Sequence, residues 1–463
     1  MTESGKAYLS MLASGNMTPF GMVLTLLMVL VVYLSPRQWA VLGVMLAVCY
    51  ITQGQQIPVL GFHFTTIRIV LLAGLVRVIK QREIHQLRLN GIDRCMIAYA
   101  ALSILIPTVR EGTVQIFIYQ LGCMYDAVLS YLVFRSLIPT LEDAKIVLSR
   151  LAFLIVPLAF CTVLEHATAR NIFHIFGGVP EMAWMRDGHV RSMAVFRCPI
   201  TAGSFGSTLS ILYLTFIYCG IYRKAALVGF AASTVIMIMA GSSGPLMGFG
   251  GGLVALGFWA LRDKMRPVRW SIFLTLLTLH LMMKAPVWFL MGRISDVVGG
   301  GGYYRAELID QFVNSFSKWW LMGVGDTSDW MPTGTIFGGA DITNQFVAVG
   351  VNGGLVLLVI YVAFVVKCFQ QLGRERRAAE TDPIQPDFQT SFLIWGVGAT
   401  LFAHILNLIS VTYFDQMQVA WYLLIAMISA QRVALQDEPI VCEKETEELH
   451  DICLGKPPAI SAE

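Results

Sequence analysis

Charge is scarce in this chain. Asp, Glu, Lys and Arg make up 14% of its 463 residues while 56% are hydrophobic, a balance that excludes an ordinary soluble globule and points to a polytopic membrane protein. Also missing is the alternation of apolar and polar residues that a membrane β-barrel needs, because the hydrophobic stretches are continuous. Helices, which satisfy their own backbone groups in lipid, are therefore predicted for the spans. The nine cysteines are scattered with no C-x-x-C pair, so neither a zinc site nor a disulfide framework is indicated. The glycine run at 299–302 lacks the Lys-Ser or Lys-Thr of a P-loop, since Tyr303 and Tyr304 follow it. A net charge of only +3 gives no reason to expect nucleic acid as a partner. No internal repeat is present.

What is there is a series of apolar runs. At about 20 residues per span, runs near 20–34, 39–52, 65–79, 95–109, 114–138, 146–164, 199–218, 225–240, 245–261, 270–290, 345–367, 390–411 and 416–432 qualify as candidates. The predicted fold is an all-α polytopic membrane protein with about 12–13 transmembrane helices and two long outer-side loops, the second carrying short interfacial helices. Residues 1–164 form N-terminal transmembrane helices, 165–198 a first periplasmic loop, and 199–290 central helices. Residues 291–344 form a large periplasmic loop, 345–432 C-terminal helices, and 433–463 a cytoplasmic tail. Lys80, Arg82, Arg88 and Arg94, then Arg223 and Lys224, then Arg262, Lys264, Arg266 and Arg269, then Arg374, Arg376 and Arg377 mark the cytoplasmic loops. One of the short runs between 225 and 261 is expected to be a re-entrant or broken helix. Thirteen runs put the amino terminus outside; merging the two shortest early runs gives twelve and puts it inside. The first run has Lys6 as its only upstream base and no cleavage-site pattern, so it reads as an uncleaved span.

The functional signal lies in the two polar loops. In the second, Arg305 is followed by Glu307 and Asp310, then by GVG at 323–325, an acidic and hydroxylic cluster from Asp326 to Asp329, and Asp341, Thr343 and Asn344 before the next apolar run. The GGGG run is expected to be a flexible hinge ahead of a short interfacial helix near 304–316, with Trp319 and Trp320 anchoring its end. In the first loop, His189, Arg191 and Arg197 stand just before an apolar helix. Arginines at a membrane boundary often only snorkel toward headgroups. Two guanidiniums can equally clamp a diphosphate, each binding bidentately. Within the spans Asp126 is a candidate relay or support group, because ionisable side chains at membrane depth are usually functional. His404 reads as a hydrogen-bonded packing residue.

Taken in order, these pieces resemble the O-antigen ligase and polymerase superfamily over roughly 185–365. Arg191, Phe196 and Pro199 match an R-x-x-x-x-F-x-x-P stretch, with Gly203 and Gly206 behind; SSGP at 242–245 matches a Ser-Arg-Gly-like turn. Arg305, Trp319 or Trp320, and Gly323 with Gly325 match an Arg, Trp, G-x-G series, and ITNQ at 342–345 precedes Gly354 and Leu355 as a His-Asn pair precedes a Gly-Leu step. Ser243 stands where the family often has arginine, with Arg197 a possible substitute. Thr343 stands where ligases carry the histidine assigned to catalysis, which favours the polymerase branch.

The resemblance implies a metal-independent and cofactor-free glycosyltransferase of the bacterial inner membrane, active on its periplasmic face. It would transfer a polyprenyl-diphosphate-linked glycan, whose lipid stays in the bilayer, to a growing O-antigen or exopolysaccharide chain. A flippase and a chain-length regulator of the same pathway are the implied partners. Arg191, Arg197 and Arg305 would bind the diphosphate and stabilise its developing charge. Asp341 is the first candidate for the base, with Glu307 and His189 behind it; Asn344 is a further catalytic candidate, and Thr343 and Asp126 are supports. The alternatives are an O-antigen ligase acting on lipid A core and, from another class, a lipid-linked oligosaccharide flippase or transporter.

Overall fold

The structure, a computed structural model, describes residues 16–59, 62–86, 89–186, 188–332, 341–381 and 387–430. Every predicted apolar run is helical in it: α1 (Pro19–Leu34), α2 (Arg37–Tyr50), α3 (Thr66–Lys80), α4 (Gly91–Glu111), α5 (Val114–Leu137), α6 (Leu141–Thr168), α7 (Pro199–Cys219), α8 (Arg223–Met239), α9 (Ser243–Gly257) and α10 (Met265–Met282). The large loop carries α11 (Leu290–Val298), α12 (Gly302–Asn314) and α13 (Phe316–Trp319), and the chain continues with α14 (Gln345–Glu380), α15 (Phe388–Ser410) and α16 (Asp415–Ala430). Hydroxyl and amide residues set the starts: Thr18, Thr65, Thr113 and Thr140 each accept a first-turn N–H, and Asn90 with Asp93 forms a capping box. Gly112 and Gly220 end α4 and α7 in the left-handed conformation.

Seven helical stretches are long and apolar enough to cross a membrane, namely Gly91–Glu111, Val114–Leu137, Leu141–Thr168, Pro199–Cys219, Ser243–Met282, Gln345–Glu380 and Phe388–Ser410, with α1 and α2 as shorter apolar helices. The chain is an all-α polytopic membrane protein. Among the described residues its only strands are two small antiparallel hairpins, β1 (Gln56–Val59) with β2 (Phe62–Thr65) and β3 (Trp184–Arg186) with β4 (His189–Arg191). Both hairpins were unforeseen by the apolar-run reading, which is blind to strands this short.

Long-range bonds sort the helix termini into two ends. At the basic end, Arg37 meets Glu83 at 3.0 Å, Gln38 bonds Asp143, Tyr131 bonds Ser429, Gln389 reaches the Cys219 carbonyl, and Arg262 and Arg376 share Glu380. At the hairpin end, Thr18 bonds Gln55, Gln55 bonds the Phe176 carbonyl, Ser192 bonds the Met239 carbonyl, and Thr412 bonds the Ile342 carbonyl. These ties correct the topology argument. α8 and α9 each run from one end to the other, since Arg223 follows Cys219 while Met239 touches Ser192, and Ser243 adjoins Gly300 while Trp259 adjoins Phe392. Neither is re-entrant. α1 and α2 are separate antiparallel helices, so thirteen runs alternate without exception and the start of α1 lies at the hairpin end. The tail at 433–463 and the Lys6 region lie outside the described residues.

The broken helix is instead α14. Gly353 and Gly354 leave helical geometry there, Gly354 at φ 72° and ψ −170°, a region kept almost entirely to glycine. Residues 320–324 fill the break: Leu355 N–H donates to the Trp320 carbonyl at 2.8 Å and Val324 N–H to Val351 at 2.7 Å. Arg110 Nη1 satisfies the carbonyls of Met322 and Asn352, both at 3.0 Å. The apolar pattern hid the break because both flanks are equally hydrophobic.

Candidate functional site

The loop after α6 is built around one carboxylate. Glu165, buried near the end of α6, accepts the N–H groups of Met193 at 3.2 Å and of Ala194 at 2.7 Å. Asn171 Nδ2 holds the Ala194 carbonyl from the other side, and Ser192 Oγ donates to the Thr162 carbonyl. This strap fixes the β3–β4 hairpin, in which Trp184 faces Arg191, Met185 faces Val190 and Arg186 faces His189. Arg191, 9% exposed, lies against the end of α8 with its Nε 3.4 Å from the Ala240 carbonyl. Gly241, at φ 53°, makes room for it: a Cβ there would stand 3.2 Å from Arg191 Cγ.

Arg305 approaches the same place from the large loop. Burial and the charges of Arg186 and Arg191 hold its guanidinium pKa below the usual arginine range. Arg305 makes no hydrogen bond or ion pair through its side chain among the described residues. Beneath it α9 begins; a Cβ on Gly244 would lie 3.8 Å from Arg305 Nη2 and 3.0 Å from Ser410 Cβ. The start of α9 has no side-chain cap, and neither has that of α7, and each is the positive end of a helix dipole. Gly299 and Gly300 take positive φ, and a Cβ on Gly300 would fall 2.1 Å from Ser243 Oγ. The glycine run is thus a close packing surface on the α9 terminus rather than only a hinge. Arg186, Arg191 and Arg305 thus lie within electrostatic reach of one another near the start of α9.

Two of the three expected diphosphate ligands, Arg191 and Arg305, are brought together, and the third is not the residue expected. Arg197 points elsewhere, its Nε 2.8 Å from Asp415 Oδ2 and its guanidinium 5.6 Å from the Phe414 ring. Arg186 is instead the further guanidinium whose charge acts on Arg305. A signal for Arg186 was available in WMRDGHVR, where a D-G pair separates two short stretches that each end or begin near an arginine. Asp126 is bidentate to Arg68, at 2.8 and 2.6 Å, and so sits in an ion pair rather than alone.

The acidic candidates separate as well. Tyr304, next to Arg305 on α12, donates its hydroxyl to the Asp341 carbonyl at 2.8 Å and accepts the Asp341 N–H at 3.2 Å. Those bonds tie the Asp341 backbone to α12, and burial raises its carboxyl pKa above the ordinary value. Asn344 is buried as the N-cap of α14, accepting the N–H groups of Phe346 at 3.0 Å and Val347 at 3.2 Å, which gives it a structural task where a catalytic one was expected. Thr343 has a buried hydroxyl without a hydrogen-bond partner among the described residues. Glu307 and His189 are exposed. Trp319, expected as an interfacial anchor, is 3% exposed; it stacks on Phe312 with ring centroids 3.9 Å apart and donates Nε1–H to the Phe312 carbonyl. With Leu308, Met331, Val347 and Val351 it forms the small core of the large loop, while Trp320 is exposed.

Among the described residues no group of three or more His, Cys, Asp or Glu side chains gathers as a metal site would require. No family model matches the chain, and no curated protein matches it.

Proposed function

We propose that the protein is an inner-membrane polysaccharide polymerase that transfers polyprenyl-diphosphate-linked glycan to a growing chain of O-antigen or exopolysaccharide type. The observation that carries this reading is Arg305, half-buried, without a side-chain hydrogen bond or ion pair among the described residues, and under the charges of Arg186 and Arg191 at the uncapped start of α9. Such a centre suits an anion with several oxygens. The described basic residues at 80–82, 94, 223–224, 262–269 and 374–377 lie at the other end of the bundle, and the rule that basic loops stay in the cytoplasm supports a periplasmic arginine centre. A lipid-linked diphosphate lies at that depth, with its chain in the bilayer.

In the reaction, an acceptor hydroxyl oxygen attacks the anomeric carbon of the donor glycan. The bond from that carbon to the diphosphate oxygen breaks, and its electron pair leaves with the lipid diphosphate. Arg186, Arg191 and Arg305 stabilise this charge as it develops. The hydroxyl proton passes to Asp341, whose raised pKa brings it nearer the working pH of a general base. Because that base acts as the carboxylate, polymer formation should fall as pH drops, with an acid limb above the ordinary carboxylate range. Asp341→Asn should remove most activity and abolish that limb. Measuring kcat/KM between pH 4 and 8 checks it, and an unchanged profile in the variant rules Asp341 out.

The test in cells is deletion of the gene. It should leave single-repeat lipid-linked units and no long polymer; normal chain length in the deletion strain contradicts the reading. A polymer of normal length that fails to reach its lipid core would point to a ligase instead. The break in α14 at Gly353 and Gly354 favours a second reading, a flippase or transporter of lipid-linked oligosaccharide, because broken helices are common in that class. A flippase and a chain-length regulator are the expected partners of the polymerase.

A further inference from the structure

The hairpin end holds a second polar cluster that the diphosphate chemistry does not use. Arg68, early in α3, pairs with Asp126 of α5, and Arg197, just before α7, pairs with Asp415 at the start of α16. The two pairs lie within electrostatic reach of each other: Asp415 is influenced by Arg197, Asp126 and Arg68. Four elements distant in sequence therefore bring four charges to one place. The side chains are not sealed, being 20% and 25% exposed in the first pair and 34% and 18% in the second. Aromatic side chains border them. Phe414 stacks under Arg197, Tyr125 bonds the Arg68 carbonyl, and Tyr119, 65% exposed, lies within reach of both Arg197 and Asp415.

A purely structural role explains this poorly. Partly exposed ion pairs add little stability, and ionisable side chains on membrane helices persist where they meet a substrate or a water-filled space. Fixed carboxylates with spare lone pairs accept hydroxyl donors, guanidiniums donate to hydroxyl oxygens, and exposed aromatic faces supply apolar area beside a polar tip. Those three elements together suit a ligand dense in hydroxyl groups with apolar ring faces. Asp415 is itself held in an unusual backbone state, φ 51°, one that Asp and Asn tolerate better than other side chains.

The cluster is also close to the arginine centre. Ser410 adjoins Gly244 under Arg305, and five residues later Asp415 meets Arg197. Five residues of chain span at most about 17 Å, so a short oligosaccharide can bridge the two.

We propose that the Arg68–Asp126 and Arg197–Asp415 pairs, with Tyr119 and Phe414, form a carbohydrate subsite that holds the acceptor glycan while its hydroxyl meets the donor at the arginine centre. This rests on the polymerase reading for the word acceptor, but sugar binding at the cluster can be measured without it. The probe is oligosaccharide released by mild acid from the producing strain's own surface polymer, labelled and titrated into the purified full-length protein in nanodiscs, with and without inorganic pyrophosphate. Wild-type protein should bind it, pyrophosphate should not compete, and Asp415→Asn and Tyr119→Ala should each weaken binding at least tenfold. Asp415→Asn preserves shape and backbone preference; if it nonetheless fails to fold, the exposed Tyr119→Ala decides. Wild-type affinity in both folded variants, displacement by pyrophosphate, or no binding by the wild type would each overturn the subsite. If wild-type protein binds the oligosaccharide through this cluster yet makes no polymer from lipid-linked units, the polymerase reading fails and the subsite stands. If it makes polymer while the variants bind normally, the subsite alone fails.

Discussion

Arg305→Ala and Arg191→Ala should each abolish detectable polymer while the protein remains in the membrane at normal levels. Removing one preorganised donor to a developing negative charge typically costs about 10²–10³ in rate, roughly 3–4 kcal/mol of transition-state stabilisation. Arg305 should sit at the upper part of that range, because among the described residues its side chain makes no hydrogen bond or ion pair, and the charges of Arg186 and Arg191 act on it. Lysine in its place should rescue poorly, since a point charge cannot reproduce the planar fork that binds two phosphate oxygens at once. Arg186→Ala should show the same defect more mildly, as its side chain is exposed on the hairpin. Immunoblots of membranes with gel analysis of surface polymer give the measurement. Normal polymer from both the Arg305 and the Arg191 variants places the chemistry elsewhere.

Gly354→Ala should be strongly destabilising. A Cβ at this position would lie 2.6 Å from the Leu321 carbonyl oxygen and 2.9 Å from that of Trp320, both backbone atoms that cannot swing aside. The backbone conformation alone costs a non-glycine residue about 1–3 kcal/mol, and forcing extra volume into a packed contact adds about 1–3 kcal/mol. The strand of loop at 320–324 would have to leave the break, taking with it the bonds from Leu355 to Trp320 and from Val324 to Val351. The expected result is a large drop in thermal midpoint in detergent and proteolysis within the large loop. Gly373→Ala, at an open position on the same helix, should leave both unchanged. Equal midpoints for the two variants would remove the argument that the loop is docked through the break.

The helices were legible because continuous apolar runs bounded by Thr, Asn and Gly have few alternatives in lipid, and each run corresponds to one helix. The break in α14 was not, because a glycine pair inside a hydrophobic stretch looks the same whether the helix continues or opens; the residues that occupy the opening lie some thirty positions earlier in the chain. Arg191 and Arg305 were legible as charged residues in the two polar loops, and their convergence on the start of α9 required the fold. Arg197 shows the limit from the other side. Nothing local distinguishes it from Arg191, and only the arrival of Asp415 from the far end of the sequence removes it from the arginine centre. Trp319 was misread for a similar reason: an aromatic pair ending an amphipathic segment fits both a membrane belt and a small buried core, and its stacking on Phe312 decides for the core. Asn344 carried a motif position and a capping position together, and the bonds to Phe346 and Val347 explain it as a cap.

If the arginine centre drives glycan transfer at the membrane surface, the purified protein should elongate lipid-linked units unaided. The most direct measurement is incubation of the purified protein, in detergent or nanodiscs without any gradient, with lipid-linked repeat units extracted from a deletion strain. A ladder of elongated lipid-linked products should form with wild-type protein and disappear with Arg305→Ala. Units that remain single with wild-type protein, while sealed vesicles show their passage across the bilayer, would contradict transfer by this centre and make the protein a transporter.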